Sequence, residues 1–147
     1  MTTSSFEAKA VQLIIKKLKT VSNVTKYVDS RVYGSYISTI QDFVLPAISI
    51  HILPSAGQAI DEAEMQILDL QIDLWFPNYG ANASVWDDVM ECFEAAKNEL
   101  HNNGGWDDAV GINVIMIENI SRGPQLYESD TKVLHYTSKF RVRGTLQ

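Results

Sequence analysis

The chain has 147 residues, of which 46% are apolar and 20% are charged, and its formal net charge is −6. This composition is ordinary for a globular protein, and the length predicts one domain with a sizeable core over residues 1–147. A single cysteine, Cys92, excludes an internal disulfide framework and a cluster of thiolate metal ligands.

The first predicted element is a helix over about residues 5–20. Ser4 and Glu7 have the spacing of a capping box, which marks a helix start. Apolar residues then recur at helical spacing: Phe6, Ala10, Leu13, Ile14, Leu18 and Val21. Because most of the lysines fall on the other side, we expect an amphipathic helix that packs on a flat surface.

Two strands are predicted in the next part of the chain. Residues 22–45 show little periodicity and favour a loop with at most a short strand. The segment "AISIHIL", between Pro46 and Pro54, alternates apolar and polar residues as a strand does. The longer segment "EMQILDLQIDLWFP", residues 64–77, alternates almost without a break. Its inward set is Leu68, Leu70, Ile72 and Leu74, and its outward set is Asp69, Gln71, Asp73 and Trp75.

A helix and two further strands are predicted in the second half. Ser84 and Asp87 mark a helix start, and "HNNGG" at residues 101–105 marks its end. Residues 109–120 are apolar on both faces, which favours a central strand, and residues 121–130 favour a loop. The order of elements predicts an α+β fold of two layers, with a mostly antiparallel sheet of about four strands and two helices packed on one face.

The last predicted strand, "VLHYTSKFRVRG" at residues 133–144, has an apolar side and a basic side. The apolar side holds Leu134, Tyr136, Phe140 and Val142, and the other side holds His135, Thr137, Lys139, Arg141 and Arg143. Charge is segregated along the chain as well, with +4 over residues 1–28, −11 over residues 58–110 and +4 over residues 131–147. Such a chain can neutralise itself on folding or mate with its own copies, and solvated faces of different sign are the simpler alternative.

No catalytic or cofactor-binding motif is present in the sequence. It lacks a GxGxxG pattern and a phosphate-binding loop, and its histidines, His51, His101 and His135, lie on separate predicted elements. Cys92 falls inside a predicted helix, where we expect it to act as a small buried apolar residue. The sequence therefore predicts a protein that is not an enzyme and that uses no metal and no cofactor.

Nucleic acid and membrane are not predicted as binding partners. The basic strand lacks the interleaved aromatic residues of RNA-binding sheets, and the acidic chain would repel a polyanion elsewhere. A signal-peptide pattern is lacking, and no apolar run approaches the ~18 residues of a membrane span. We therefore expect a reducing, aqueous compartment.

Two rows of opposite charge are predicted on the outward side of the sheet: Asp69 and Asp73 in one strand, and Lys139, Arg141 and Arg143 in the other. Ion pairs within one sheet and ion pairs between subunits both satisfy this pattern. Trp75, next to Phe76, is predicted to be an exposed aromatic residue of the kind that anchors interfaces. Complementary surfaces on different parts of one molecule make heterologous contacts, which close into rings.

The order of these segments resembles that of the tail-terminator or tail-completion proteins of long-tailed bacteriophages. The resemblance rests on the amphipathic N-terminal helix, "DSRVYGSYI", "VLPAISIHIL", "MQILDLQIDLWFP", the helix that begins at Ser84, and "LYESDTKVLHYTSKFRVRG". The last segment is the most suggestive, because an acidic loop leads through His135 into a strand that ends in Phe-Arg-Val. The long connection "SAGQAIDEAE" departs from the pattern and leaves the subtype open.

The resemblance implies a structural virion protein that forms a homohexameric ring in the tail or neck, assembled in the host cytoplasm. Such a ring caps the tail tube, ends its polymerisation and presents a surface to a head-side connector or neck protein. DNA passes through it without specific binding. A head-side neck or closure protein of the same connector, or a small soluble ligand-binding domain, is the alternative.

Two sets of residues are expected to serve such a ring. A subunit or tube interface is expected to contain Lys139, Arg141, Arg143, Trp75 and Phe76. An acidic lumen or interface is expected to contain Asp69 and Asp73, because negative charge would keep passing DNA from sticking. The resemblance supplies no catalytic residue.

Overall fold

A computed structural model describes residues 6–34, 44–53, 65–77, 83–104, 106–108, 112–128 and 133–146. Within these ranges the helices are α1 (Phe6–Leu18), α2 (Ser22–Val28) and α3 (Ala83–Leu100). The strands are β1 (Val32–Tyr33), β2 (Ala47–Ile52), β3 (Gln66–Pro77), β4 (Trp106–Asp108), β5 (Ile112–Glu128) and β6 (Val133–Leu146). Some features of the sequence lie outside the described residues: the Ser4 cap, residues 35–43, and the connection over residues 55–64.

The described strands form one mixed sheet in the order β1-β2-β3-β6-β5-β4. The pair β1–β2 is parallel, and the other pairs are antiparallel. The predicted α+β class with a mostly antiparallel sheet is therefore confirmed. The described residues contain six strands and three helices, which is more than the four and two expected.

The core lies between the helices and one face of the sheet. Alternate side chains of β3 and β6 point into it, as their period of two predicts: Leu68, Leu70, Ile72 and Leu74, with Leu134, Tyr136, Phe140 and Val142. The stripe of α1 and a second stripe from α3 cover these rows. Each buried aliphatic or aromatic side chain contributes about 1.5–3 kcal/mol, so the helices are held on the sheet mainly by this contact.

Two short elements were not predicted from the sequence. Helix α2 spans seven residues and buries Val24 and Val28, which is too short a stretch to show a helical period. Strand β4 has three residues, Trp106–Asp108, and directly follows the predicted end of a helix. Both elements depend on tertiary contacts, α2 with α3 and β4 with β5.

The predictions for β5 were wrong in two respects. The strand does not end at residue 120 but continues to Glu128, through the segment predicted to be a loop. The register shift between Arg122 and Gln125 accommodates Pro124, which a regular central ladder would exclude. Nor is β5 the central strand, because β6 lies between β3 and β5.

Candidate assembly surface

The face of the sheet opposite the helices, here called the outer face, carries the polar rows of β3 and β6. Four cross-strand pairs align these rows: Asp69 with Arg141, Gln71 with Lys139, Asp73 with Thr137, and Trp75 with His135. The residues predicted to point outward from β3 thus share one face with those predicted to point outward from β6. The interactions of these side chains differ between the two ends of the outer face.

At one end, the charges of the outer face pair within the chain. Arg141 donates from Nε to Asp69 Oδ1 at 2.8 Å and from Nη2 to Asp69 Oδ2 at 3.1 Å. Arg143 forms a second ion pair with Glu118 of β5 through a single contact, in which Nη1 donates to Oε1. The hydrogen bonds to Asp69 raise the pKa of Arg141 further above its ordinary value. Within the single chain, these charges thus form ion pairs between neighbouring strands.

Lys139 differs from the two arginines in the same row. Its side chain is exposed, and it forms no ion pair with any residue that the structure describes. Its strand partners at this level are Gln71 on β3 and Ser121 on β5, neither of which carries a charge. Of the three basic residues predicted for an interface, Lys139 is thus the one whose charge is available to another molecule.

At the other end of the outer face, Asp73 is buried, with 2% of its surface exposed. Gln71 donates from Nε2 to both carboxylate oxygens, at 2.9 and 3.2 Å. Two imidazole nitrogens also lie close, His135 Nε2 at 3.1 Å and His51 Nδ1 at 3.6 Å. Neither imidazole nitrogen has the alignment of a hydrogen bond to Asp73, so both contacts are close approaches without a directed bond.

Trp75 closes over the same cluster. Its ring stacks on His135 with 3.7 Å between centroids and 13° between planes. Its Nε1 donates to Ser49 Oγ at 3.0 Å, and Ser49 is itself only 1% exposed. Trp75 remains partly exposed, so it can contact another molecule while it holds the cluster together.

Phe76, which was expected at a subunit or tube interface, is buried in the single chain. Phe76 is 3% exposed and belongs to the core, with its ring 5.8 Å from that of Tyr27. The reason is the alternation of the strand, which places residue 76 on the opposite face from Trp75. Phe76 therefore supports the packing of the helices and is not part of the outer face.

One feature of the surface was missed from the sequence. The large apolar side chains that are exposed in the described residues lie at the two edges of the sheet: Val44 and Ile52 at the β2 edge, and Met116, Ile120 and Leu126 on β5. The sequence indicated only that residues 109–120 are apolar on both faces. Whether these apolar side chains are buried or exposed depends on the place of β5 in the sheet, which the sequence does not show.

The described residues contain no group of three or more histidine, cysteine or acidic side chains that could hold a metal ion. Cys92 is fully buried, and loss of solvation raises the pKa of its thiol to about 12, so it is not a nucleophile. No helix in the described part of the chain is long and apolar enough to cross a membrane.

No protein family model matches the sequence, and no curated protein matches it. Among solved structures, the fold is similar to that of a chain in the virion of a native gene transfer agent particle. The two chains have a TM-score of 0.65 and are 13% identical, and the match covers 89% of this chain and 90% of that one. At this level of identity the likeness establishes a shared fold.

Proposed function

We propose that this chain is a non-enzymatic structural protein of a virion that assembles into a ring at the end of a phage tail tube. The observation that carries the proposal is the whole-chain likeness to a chain of a gene transfer agent virion, which covers 89% of one chain and 90% of the other. Because the match extends over most of both chains, the likeness concerns the whole fold and not a local motif.

The order of sequence segments supports the finer part of the proposal independently, because it resembles that of tail terminators. In this role the ring, a hexamer by the same resemblance, ends polymerisation of the tube and joins the tail to a head-side connector or neck protein. Its partners are its own copies, the tail tube protein and that connector. DNA passes through the ring without specific binding.

The outer face serves the ring in two ways in this proposal. The pairs Asp69–Arg141 and Glu118–Arg143 fix the register of the central strands, so they act within each subunit. We assign Lys139, which forms no ion pair with a described residue, and Trp75, which is a partly exposed aromatic residue, to contacts with a neighbouring copy or the tube. Asp73 is buried and Asp69 is neutralised by Arg141, so we assign neither to the lining of a lumen.

Light scattering of the purified chain over a wide concentration range, with electron microscopy of the heaviest species, tests this function. A ring of several copies with a central opening is expected, whereas a monomer at every concentration would favour a small ligand-binding domain. Addition of the ring to polymerising tube protein then separates the two connector roles. A terminator stops tube growth, and a neck or closure protein leaves the tube length unchanged.

A further inference from the structure

The exposed apolar residues of the described chain lie at opposite edges of one sheet. Val44 and Ile52 flank β2, with 56% and 41% of their surfaces exposed. Ile120 and Leu126 lie on β5, with 42% and 44% exposed. Large apolar side chains concentrated at two separate edges indicate two contact sites.

The edge at β2 contains an open groove of about 530 Å³. Its walls are α1, through Val11 and Ile15, and β2, through Ile50 and Ile52. Among the described residues, β1 pairs with β2 at Ile48 and Ser49, and the groove lies beside the following residues of β2. Apolar walls beside a strand edge suit an apolar side chain carried on another strand.

The edge at β5 becomes uncovered at Ile120. Before this point, β4 pairs with residues 112–114, Asn103 bridges to Ile117, and the backbone N–H of Asn119 donates to His101 Nδ1 at 2.9 Å. From Ile120 onward, none of the described elements pairs with this edge of β5. Ile120 itself lies at a register shift, which turns its side chain out of the regular ladder.

The strand register places the groove and the β5 edge at the same level of the sheet. Ile52 pairs with Leu70, Leu70 with Phe140, and Phe140 with Asn119, the neighbour of Ile120. Leu126 aligns through His135 and Trp75 with Ala47, the first residue of β2, so it lies at the opposite end of β2 from Ile52. If two subunits lie side by side with their sheets aligned, the β5 edge of one therefore faces the β2 edge of the other.

The charges beside the two edges are complementary. Helix α1, which forms one wall of the groove, carries three lysines and one glutamate. Helix α3 is joined to the β5 edge by the ion pair of Glu94 and Arg122 and carries five acids and one lysine. Two of these acids are paired within the chain, Glu91 with Lys26 and Glu94 with Arg122. The opposite net charge of the two helices favours this orientation of approach, while the apolar contact supplies the affinity.

We infer that the β5 edge of one copy, with Ile120 at its centre, inserts into the groove between α1 and β2 of the next copy. The contact is heterologous, because each copy uses a different edge on each side, and repetition at one height closes a ring. This inference rests on the proposed function and names the surfaces through which the ring forms.

Cysteine cross-linking of the full chain tests this contact. Copies carrying Ile52→Cys are mixed with copies carrying Ile120→Cys, oxidised, and separated on a non-reducing gel. Native Cys92 does not interfere, because it is fully buried. A covalent dimer is expected in the mixture, and neither variant alone is expected to give one. A mixture of Ile52→Cys with Met116→Cys is the matched control, since Met116 is exposed on the same strand but aligned with Arg143, away from the level of the groove.

Each result bears on a different claim. A dimer formed by Ile120→Cys alone would mean that two identical edges meet, which overturns the heterologous contact. Rings seen by light scattering without a cross-link in the mixture would overturn the assigned surfaces and leave the proposed ring intact. A monomer at every concentration without any cross-link would overturn both.

A charge placed at the same position gives a second test. Ile120→Lys is expected to weaken assembly by at least tenfold, while Met116→Lys assembles as the unaltered protein does. Both side chains are exposed in the single chain, so circular dichroism and urea unfolding should show both variants folded. Normal assembly of Ile120→Lys would contradict the inference.

Discussion

The ion pair between Asp69 and Arg141 offers a direct test of whether the charged rows act within one chain. The perturbation is a double-mutant cycle of Asp69→Asn and Arg141→Gln, followed by urea unfolding of the four proteins. Exposed ion pairs couple by about 0.2–1 kcal/mol. This pair is bidentate, and its side chains are 21% and 37% exposed, so we expect a coupling near the upper end, about 1 kcal/mol at low salt. Higher salt should reduce it.

Charge reversal distinguishes pairing within one subunit from pairing between subunits. Asp69→Arg and Arg141→Asp should each destabilise the chain, and the two together in one chain should recover part of the loss. Mixing the two single variants should recover nothing, because the partners lie in the same subunit. A coupling near zero in the cycle would refute the stabilising role of the pair within the chain. Recovery of assembly on mixing the two single variants would show that these residues pair between subunits.

Two further predictions concern the core. Gly144→Ala should lower the free energy of unfolding by about 1–3 kcal/mol, because a Cβ there would lie 2.3 Å from the backbone oxygen of Asn113 and 2.9 Å from the Phe6 ring. Gly34→Ala is the comparison, since its Cβ would meet only side-chain atoms at 3.1 and 3.3 Å, and an equal loss in the two variants would contradict the steric argument. Burial raises the pKa of Cys92 to about 12, so as the pH rises above ~9 the unfolded chain loses the thiol proton before the folded chain does. The free energy of unfolding should therefore fall between pH 9 and 12, and it should fall less steeply in Cys92→Ala. If urea unfolding gives the same pH dependence for both proteins, the thiol does not contribute.

The parts of the fold that follow a strict period were predictable from the sequence. In β3 and β6, apolar and polar residues alternate, so the inner and outer rows could be assigned without coordinates. In α1, the apolar residues recur at helical spacing, so the buried side of the helix could be predicted as well. These assignments succeed because burial of one face determines the pattern of residues.

The remaining parts depend on which strands become neighbours. Asp69 and Arg141 are 72 positions apart, and only the register of β3 against β6 makes them partners. The Gly-Pro pair in β5 indicates a loop, whereas a bulge keeps it in the strand. Ile120 is as apolar as a core residue, and its exposure follows from the place of β5 near the edge of the sheet. Pairing between distant segments is a tertiary property that local periodicity does not contain.

The position of the protein in an assembled particle tests the central claim most directly. Antibodies against this chain, coupled to gold, would be bound to purified particles from cells that produce it and viewed by electron microscopy. Label at the junction of head and tail is expected, on the last ring of the tube. Label along the tube or at its far end, or particles that lack the protein altogether, would contradict the proposed function.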